Sequence, residues 1–446
     1  MSMKVAIVGF GAEGQVSCAY YLAQGYEITV CDQNTDITVP EGVGIQLGDT
    51  YLDNLNQFDI IVRTAGMHPQ IILDKYPSLG DKLTTQVDEF MRVSPTPNII
   101  GVTGTKGKGT TSTLIHDMLK AAGKHVLLGG NIGIPPLGFL HEVTEDSWVV
   151  LELSSFQLSS IHRSPHIAVC LMVVAEHLNW HTDMSEYLSA KQQLFIHQTS
   201  NDLAIYFADN ETSRTIALAG DGQKIPFYKE PGAHVQDGKI MINDLEICQT
   251  SDIKLLGEHN WQNACAAVTT LWYAGIKNTD AMRDVLTSFA GLEHRIEFVR
   301  ELHDIRYYND SFGTTPETAM VALQAFEQPK VLILGGSSKE SDYTQLARTL
   351  GTTNVRKVIL IGNTTHPTYK TAAPAIEAAM QANSFDNYIS LVQPGGCSMA
   401  DIVSAAQQEA QPGDVILLSA ACASFDIFTD YKDRGNQFKA TVQALA

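Results

Sequence analysis

Nothing in this sequence pairs its cysteines. The seven of them, at positions 18, 31, 170, 248, 265, 397 and 422, include no CxxC pair and no regular spacing. An odd, scattered set fits reduced thiols in a cytoplasmic protein and excludes a disulfide scaffold or a structural zinc site. Long apolar runs are also missing, for none approaches the ~20 residues of a spanning helix. The start, MSMKVAIVGFGAEG, breaks into glycines too soon for the apolar stretch of a signal peptide. Positive charge is scarce: 30 basic residues stand against 49 acidic ones, a net charge of −19. That balance excludes a nucleic-acid coat or a basic membrane-surface protein. An anionic substrate would need its lysine and arginine contacts concentrated locally. Internal repeats and low-complexity tracts are absent. The expectation is a soluble cytoplasmic protein with no nucleic-acid partner and no stable membrane insertion.

What is present is a globular chain of 446 residues, 44% apolar and 18% charged, long enough for two to four domains. Short β-branched runs alternate with amphipathic stretches. They include Lys4–Val8, Glu27–Cys31, Asp59–Val62, Ile99–Val102, Trp148–Leu151, Ala168–Val174, Val331–Leu334, Val358–Ile361 and Val415–Leu418. Continuous apolar runs of this kind suit parallel strands covered on both faces, so the fold class is α/β. Ser94-Pro95-Thr96-Pro97-Asn98 reads as a joint. Residues 220–256, with Asp221-Gly222 and Asp237-Gly238 turns, read as β-rich. Three domains are expected: 1–93, 94–292 and 293–446.

Two glycine loops carry the chemistry. Gly9, Gly11 and Gly14 form GxGxxG between a strand and the amphipathic stretch Val16–Ala23, and Asp32 ends the next strand. Glycines let the backbone approach a diphosphate, the helix N-terminus favours negative charge, and the acid can take a ribose hydroxyl. A tight turn without a ligand, NAD, or another nucleotide diphosphate all fit this loop alone.

In the second, strand Ile99–Val102 runs into Gly104, Thr105, Lys106, Gly107, Lys108, Gly109, Thr110 and Thr111, with a helix beginning near Thr110. Backbone N–H groups can wrap β- and γ-phosphates there, and Lys108 can neutralise them. The position after the lysine, where a Ser or Thr usually ligates magnesium, is Gly109, so Thr110 or Thr111 must supply that oxygen. Glu152 ends the strand Trp148–Leu151, where a magnesium-binding carboxylate is expected. The stretch Ala175-Glu176-His177-Leu178-Asn179-Trp180-His181 is dense in ligand-type side chains. Ten residues on, Lys191 sits on the amphipathic stretch Tyr187–Phe195, and residue physics alone reads it as a solvated helix lysine.

Taken together these motifs resemble the Mur ligase family, ATP-dependent amino-acid ligases of peptidoglycan precursor synthesis. The likeness runs along the whole chain through GxGxxG, TGTxGKxTT, GGNIG (129–133), LELSSFQL (151–158), the His177 cluster, Lys191, GEHNWQNA (257–264), GLEHRIE (291–297), NDS (309–311) with TTPETA (314–319), GG (335–336), SAACASFD (419–426) and DRGNQF (433–438). The resemblance implies a Rossmann-like N-terminal domain binding a uridine diphosphate rather than NAD, a central P-loop-type ATPase domain and a Rossmann-like C-terminal domain. The NDS segment before TTPETA implies the branch that joins D-glutamate to UDP-N-acetylmuramoyl-L-alanine through an acyl phosphate. Residue types cannot separate D- from L-glutamate, so a sister ligase adding L-glutamate or another amino acid stays open, as does a non-catalytic nucleotide-binding relative.

Roles follow from the resemblance residue by residue. Lys108 would clamp phosphate, and Thr110, Glu152, His177 and a carbamylated Lys191 would hold two magnesium ions. Asn263 and Arg295 would hold adenine and phosphate, with Asp310 on the ribose. Asn131 and His177 would contact the muramoyl substrate, beside the UDP loop of Gly9, Gly11, Gly14 and Asp32. Thr314, Lys339, Ser424, Phe425 and Tyr431 would form the glutamate pocket, and the enzyme is expected to be a monomer. Three departures stand out. Gly109 replaces the usual Ser or Thr, Glu176 and Asn179 stand where aspartates are common, and Phe312 follows NDS where many relatives carry lysine.

Overall fold

A computed structural model describes residues 3–177, 180–255 and 257–446. The chain forms two compact units, Met1–Phe289 and Ala290–Ala446. In the first, strands β1 (Lys4–Val8), β2 (Glu27–Asp32), β3 (Gly44–Leu47), β4 (Ile60–Arg63) and β5 (Leu83–Thr84) pair in parallel in the order 3-2-1-4-5. The chain leaves β1 toward β2 and β3 on one side and later adds β4 on the other. That reversal opens a crevice at the carboxyl end of β1, where the first glycine loop lies.

The same unit holds a second parallel sheet of β6 (Ile99–Thr103), β7 (Val126–Gly130), β8 (Trp148–Glu152), β9 (Ile167–Cys170), β10 (Leu203–Phe207) and β11 (Gln223–Phe227), in the order 11-10-9-6-8-7. Here the reversal is at β6, flanked by β8 and β9. All five β6 residues are buried, as an apolar strand covered on both faces should be. Gly101 in β6 allows a close approach. A Cβ there would lie 2.9 Å from both Leu194 and Pro165, so the glycine seats the helix Met184–Ile196 against the strand. Strands β12 (His234–Gln236), β13 (Lys239–Ile242) and β14 (Leu245–Gln249) add a small antiparallel sheet.

Two expectations change. The strand expected over Ala168–Val174 ends at Cys170. Beyond it the phosphate loop captures the chain: Thr105 N donates to Met172 O at 2.8 Å, and Val174 N donates to Thr105 Oγ1 at 3.0 Å. Asp221-Gly222 is not a hairpin, because β10 and β11 are parallel and the helix Glu211–Ala217 makes the crossover. Asp237 and Gly238, both at positive φ, do turn the chain between β12 and β13.

The second unit carries one sheet of β15 (Glu297–Leu302), β16 (Ile305–Asn309), β17 (Lys330–Gly335), β18 (Val355–Ile361), β19 (Tyr388–Ser390) and β20 (Val415–Leu418), in the order 15-16-20-17-18-19. Only β15 is antiparallel to its neighbour. The last strand, β20, inserts between β16 and β17. The loops after these three strands therefore leave the same edge side by side.

Arg63, at the end of β4 and 1% exposed, ties the two sheets of the first unit together. Its guanidinium donates to Met67 O at 2.7 Å, Phe156 O at 2.5 Å and Ser160 Oγ at 3.0 Å. Arg63→Ala would strand those buried acceptors and is expected to cost about 2–4 kcal/mol. The check is the denaturant midpoint of the variant against the parent. An unchanged midpoint would contradict this role.

Candidate functional site

The second glycine loop begins where β6 ends. Gly104 has φ +148° and would press a Cβ to 2.8 Å from Leu171. Gly107, at φ +85°, caps the helix Lys108–Ala121, and a Cβ there would meet Asn263 Oδ1 at 2.3 Å. Any side chain at either position would break the loop, so these glycines are dictated by close approach as well as dihedral angle. The helix starts at Lys108, two residues before the expected Thr110, so its first turn aims N–H groups at the loop. Lys108 Nζ bends back to Gly104 O and Thr105 O, both at 3.1 Å. Lys106 reaches outward to Glu176 at 2.5 Å.

Lys191 overturns the reading of a solvated helix lysine. It is 1% exposed. Because Gly101 seats its helix so closely, the ammonium lies under the phosphate loop. It donates to Gly104 O at 3.0 Å and sits 4.5 Å from the Tyr187 ring centroid. Among the described residues no carboxylate lies within ion-pair distance of it. Burial first, and then the positive charge of Lys108, pull its pKa down to about 7. Periodicity missed this because Lys191 falls on the buried face together with Tyr187, Ala190 and Leu194.

Of the two candidate hydroxyls, that of Thr111 is engaged: Oγ1 lies 3.3 Å from Asn263 Oδ1, deep in the fold. Thr110 is half-buried in the first helical turn and presents the other. Glu152 is buried at the end of β8, in register with Val102 and Gly130 on either side. Asn131 Nδ2 donates to its Oε1 at 3.0 Å. His177, at φ 59°, packs edge-on to Phe156 at 4.9 Å. Burial depresses its pKa, with Glu176 opposing, so the imidazole is neutral and able to bind a metal at neutral pH.

No group of three or more His, Cys, Asp or Glu is gathered as a metal cage among the described residues. Glu152 and Thr110 offer oxygens of the kind magnesium takes, and such an ion would draw most of its ligands from phosphate and water. Asn179 lies outside the described residues.

Two further side chains brace the site: Tyr187, which had no sequence signal of its own, and His181, which the ligand-dense stretch 175–181 already included. Tyr187 OH bonds Thr105 Oγ1 at 2.8 Å, fixing the loop from below. His181, fully buried, bonds Ser155 Oγ at 2.9 Å and braces the segment carrying His177.

At the first glycine loop, Gly9 has φ +94°, and a Cβ on Gly14 would fall 2.0 Å from Gly9 O. Gly11 meets no such contact and caps the helix Ala12–Ala23. Asp32 accepts from Phe10 N at 2.6 Å and Asn34 N at 2.7 Å. It therefore clamps the loop, with lone pairs left for a hydroxyl.

In the second unit, burial lifts the Asp310 carboxyl to about 6, against the hydrogen bonds from Ser419 Oγ at 2.7 Å and Ile296 N at 3.2 Å. The Arg295 guanidinium lies 5.7 Å from the Phe312 ring, and the edge of Tyr431 meets that ring at 5.3 Å. Phe312, the departure from lysine, thus makes a platform for Arg295. Lys339 Nζ lies 3.2 Å from Thr314 Oγ1. Ser424 is buried and Phe425 half-exposed. Arg434, fully buried in the DRGNQF segment, donates to Ser311 O, Ser311 Oγ and Cys422 O and so holds two of the three edge loops together.

The Mur ligase middle domain family matches residues 102–271, and the Mur ligase glutamate ligase domain family matches residues 294–422. The UDP-N-acetylmuramoylalanine–D-glutamate ligase of Clostridium tetani is 36% identical over 99% of this chain and 97% of its own length. The enzyme of the same name from Clostridium kluyveri gives the same figures. Among solved structures, the UDP-N-acetylmuramate–alanine ligase of Thermotoga maritima superposes with a TM-score of 0.55 at 16% identity, covering 99% of both chains. MurF of Acinetobacter baumannii gives 0.54 at 15% identity, covering 99% of this chain and 93% of its own. At such identities the likeness is one of fold.

Lys191 gives a test independent of turnover. Its pKa falls from 10.5 in the unfolded chain to about 7 in the fold. Its burial is therefore most costly below pH 7, where both states are protonated, and the cost is relieved as pH rises toward 10.5. Lys191→Met is expected to raise Tm most at pH 6 in CO₂-free buffer, with the gain shrinking by pH 9. A variant less stable than the parent by the same amount at every pH would contradict this.

Proposed function

The chain belongs to the Mur ligase family, and from that premise we propose that it joins D-glutamate to UDP-N-acetylmuramoyl-L-alanine at the expense of ATP. It is an ATP-dependent ligase of peptidoglycan precursor synthesis. In the structure, the observation that supports its phosphoryl-transfer half is the convergence of Lys108 and Lys191 on the Gly104 carbonyl, at the N-terminus of the helix Lys108–Ala121.

In this reading residues 1–93 bind the uridine diphosphate, 94–292 bind ATP, and 293–446 recognise the amino acid. The carboxylate of the UDP-linked substrate attacks the γ-phosphorus, forming an acyl phosphate as the bond to ADP breaks. The amine of glutamate then adds to the acyl carbon, loses its proton, and phosphate leaves from the tetrahedral intermediate. Neither step needs a protein nucleophile. The protein supplies position and charge.

Lys108 turns from the loop carbonyls to the transferring phosphoryl oxygens, and the backbone N–H groups of residues 104–111 hold the rest. Thr110, Glu152 and His177 would hold magnesium, which when bound neutralises phosphate oxygens. Asn263, braced by Asn260 at 3.1 Å, serves the nucleotide, as do the Arg295 guanidinium and the Asp310 carboxylate. Asn131 contributes to the muramoyl substrate while holding Glu152. Thr314, Lys339, Ser424, Phe425 and Tyr431 offer hydroxyls and a cation to the two carboxylates of glutamate.

Lys191 is the residue for carbamylation. Its neutral amine adds to CO₂, giving a carbamate and a proton, and a buried cation becomes an anion that supports the second metal. The absence of a carboxylate partner and the lowered pKa both favour the neutral amine at physiological pH.

Phosphate release with UDP-N-acetylmuramoyl-L-alanine and a panel of D- and L-amino acids tests the reaction. Release only with D-glutamate is expected, and release with L-glutamate alone would point to a sister ligase. Lys108→Ala should lower kcat roughly 10³-fold or more with little change in Tm. Near-normal ligation by that variant would contradict the phosphate-loop assignment. Lys191→Ala should lose activity, and a short carboxylic acid in the buffer should partly restore it. Full activity of Lys191→Ala without added acid would rule out the carbamate.

A further inference from the structure

At the carboxyl end of β17 the chain makes an unusually close passage. Gly335 and Gly336 have φ +123° and +140°, and Cβ atoms there would lie 2.1 Å from Ile361 O and 2.2 Å from Ala423 O. This pair of glycines threads Ser337 between two other segments. Ser337 N donates to Ala423 O at 2.9 Å, and Ser337 bridges Thr371 on its other side. Ser338 N donates to Lys370 O at 2.7 Å, so Tyr369 is the next residue on the segment paired with this one.

Ser337 and Ser424 are each 2% exposed, and neither hydroxyl has a hydrogen-bond partner among the described residues. Native folds rarely bury a hydroxyl without an acceptor, and such groups call for a functional explanation. Two of them lie on adjoining segments, and Ser337 is two residues before Lys339, whose Nζ reaches Thr314 Oγ1. On the residues next in chain, Tyr369 two before Thr371 and Phe425 one after Ser424, the rings stack at 5.3 Å and 29°, both 43% exposed. Neither Ser337 nor Tyr369 stood out in the sequence.

We propose that Ser337 and Tyr369 are further binding residues for the incoming amino acid: Ser337 donates its hydroxyl to a carboxylate beside Lys339 and Ser424, and the Tyr369 ring, held by Phe425, walls that carboxylate off from water. This rests on the reading of Thr314, Lys339 and Ser424 as the amino-acid half-site.

The test is steady-state kinetics for all three substrates, with Tm, on the full-length protein and its Ser337→Ala, Tyr369→Ala and Tyr369→Phe variants. Ser337→Ala should raise KM for D-glutamate about ten-fold and leave the other two KM values in place, the loss of one hydrogen bond to a charged group. Its Tm should stay level or rise, because a partnerless buried hydroxyl has been removed. Tyr369→Ala should raise the same KM, and Tyr369→Phe, which keeps the stack, should restore it. A glutamate KM within two-fold of the parent in Ser337→Ala, equal rises for all three substrates, or a Tm lowered by several degrees would overturn the inference. A parent protein that ligates no acidic amino acid would overturn the reading beneath it.

Discussion

Two ammonium groups share one carbonyl oxygen. Lys108 and Lys191 both donate to Gly104 O, at 3.1 and 3.0 Å, so their charges lie no more than about 6 Å apart. At an effective dielectric constant of about 20, their repulsion is on the order of 3 kcal/mol. That repulsion adds to burial in disfavouring the charged form of Lys191. Lys108 is half-buried. Lys191 is buried and yields. The rest of the first unit maintains this confrontation. Gly101 admits the helix that carries Lys191, Gly104 and Gly107 permit the loop, and Thr105 laces that loop to residues 172–174 and to Tyr187.

The two units solve a similar problem with different means. Each places its polar side chains at the carboxyl edge of a parallel sheet, where the strand order reverses or a late strand inserts. Each fixes the loops there with a buried arginine that spends its donors on protein oxygens, Arg63 in the first and Arg434 in the second. Burial pulls the pKa of both guanidinium groups down to about 10. The first unit brings Lys108 and Lys191 to one carbonyl, which the proposed function uses for phosphoryl chemistry. The second sets Lys339 beside Thr314, which the same proposal uses for a carboxylate.

Much of this was legible beforehand, for identifiable reasons. Apolar strands covered on both faces have a compositional signature, and Lys4–Val8 and Val415–Leu418 appear with the expected limits. Glycine loops advertise themselves, because only glycine survives at Gly9, Gly14, Gly104 and Gly107. Other features depend on partners far along the chain. The depth of Lys191 is set by Gly101, ninety residues earlier, and amphipathic spacing cannot reveal which face a lysine shares. The strand after Ile167 ends early because the phosphate loop competes for its N–H groups. The choice between Thr110 and Thr111 turns on Asn263, more than 150 residues away. Phe312 reads as a lost charge until the Arg295 guanidinium is found over its ring.

The central claim is that burial and Lys108 leave Lys191 proton-poor at neutral pH, and so ready to take up CO₂. Carbon-13 NMR of the full-length protein equilibrated with ¹³C-bicarbonate at pH 7.5 addresses it directly. One carbamate resonance is expected in the parent protein, absent from Lys191→Met and kept in Lys106→Met. No carbamate signal at saturating bicarbonate, or an unaltered signal in Lys191→Met, would contradict the account.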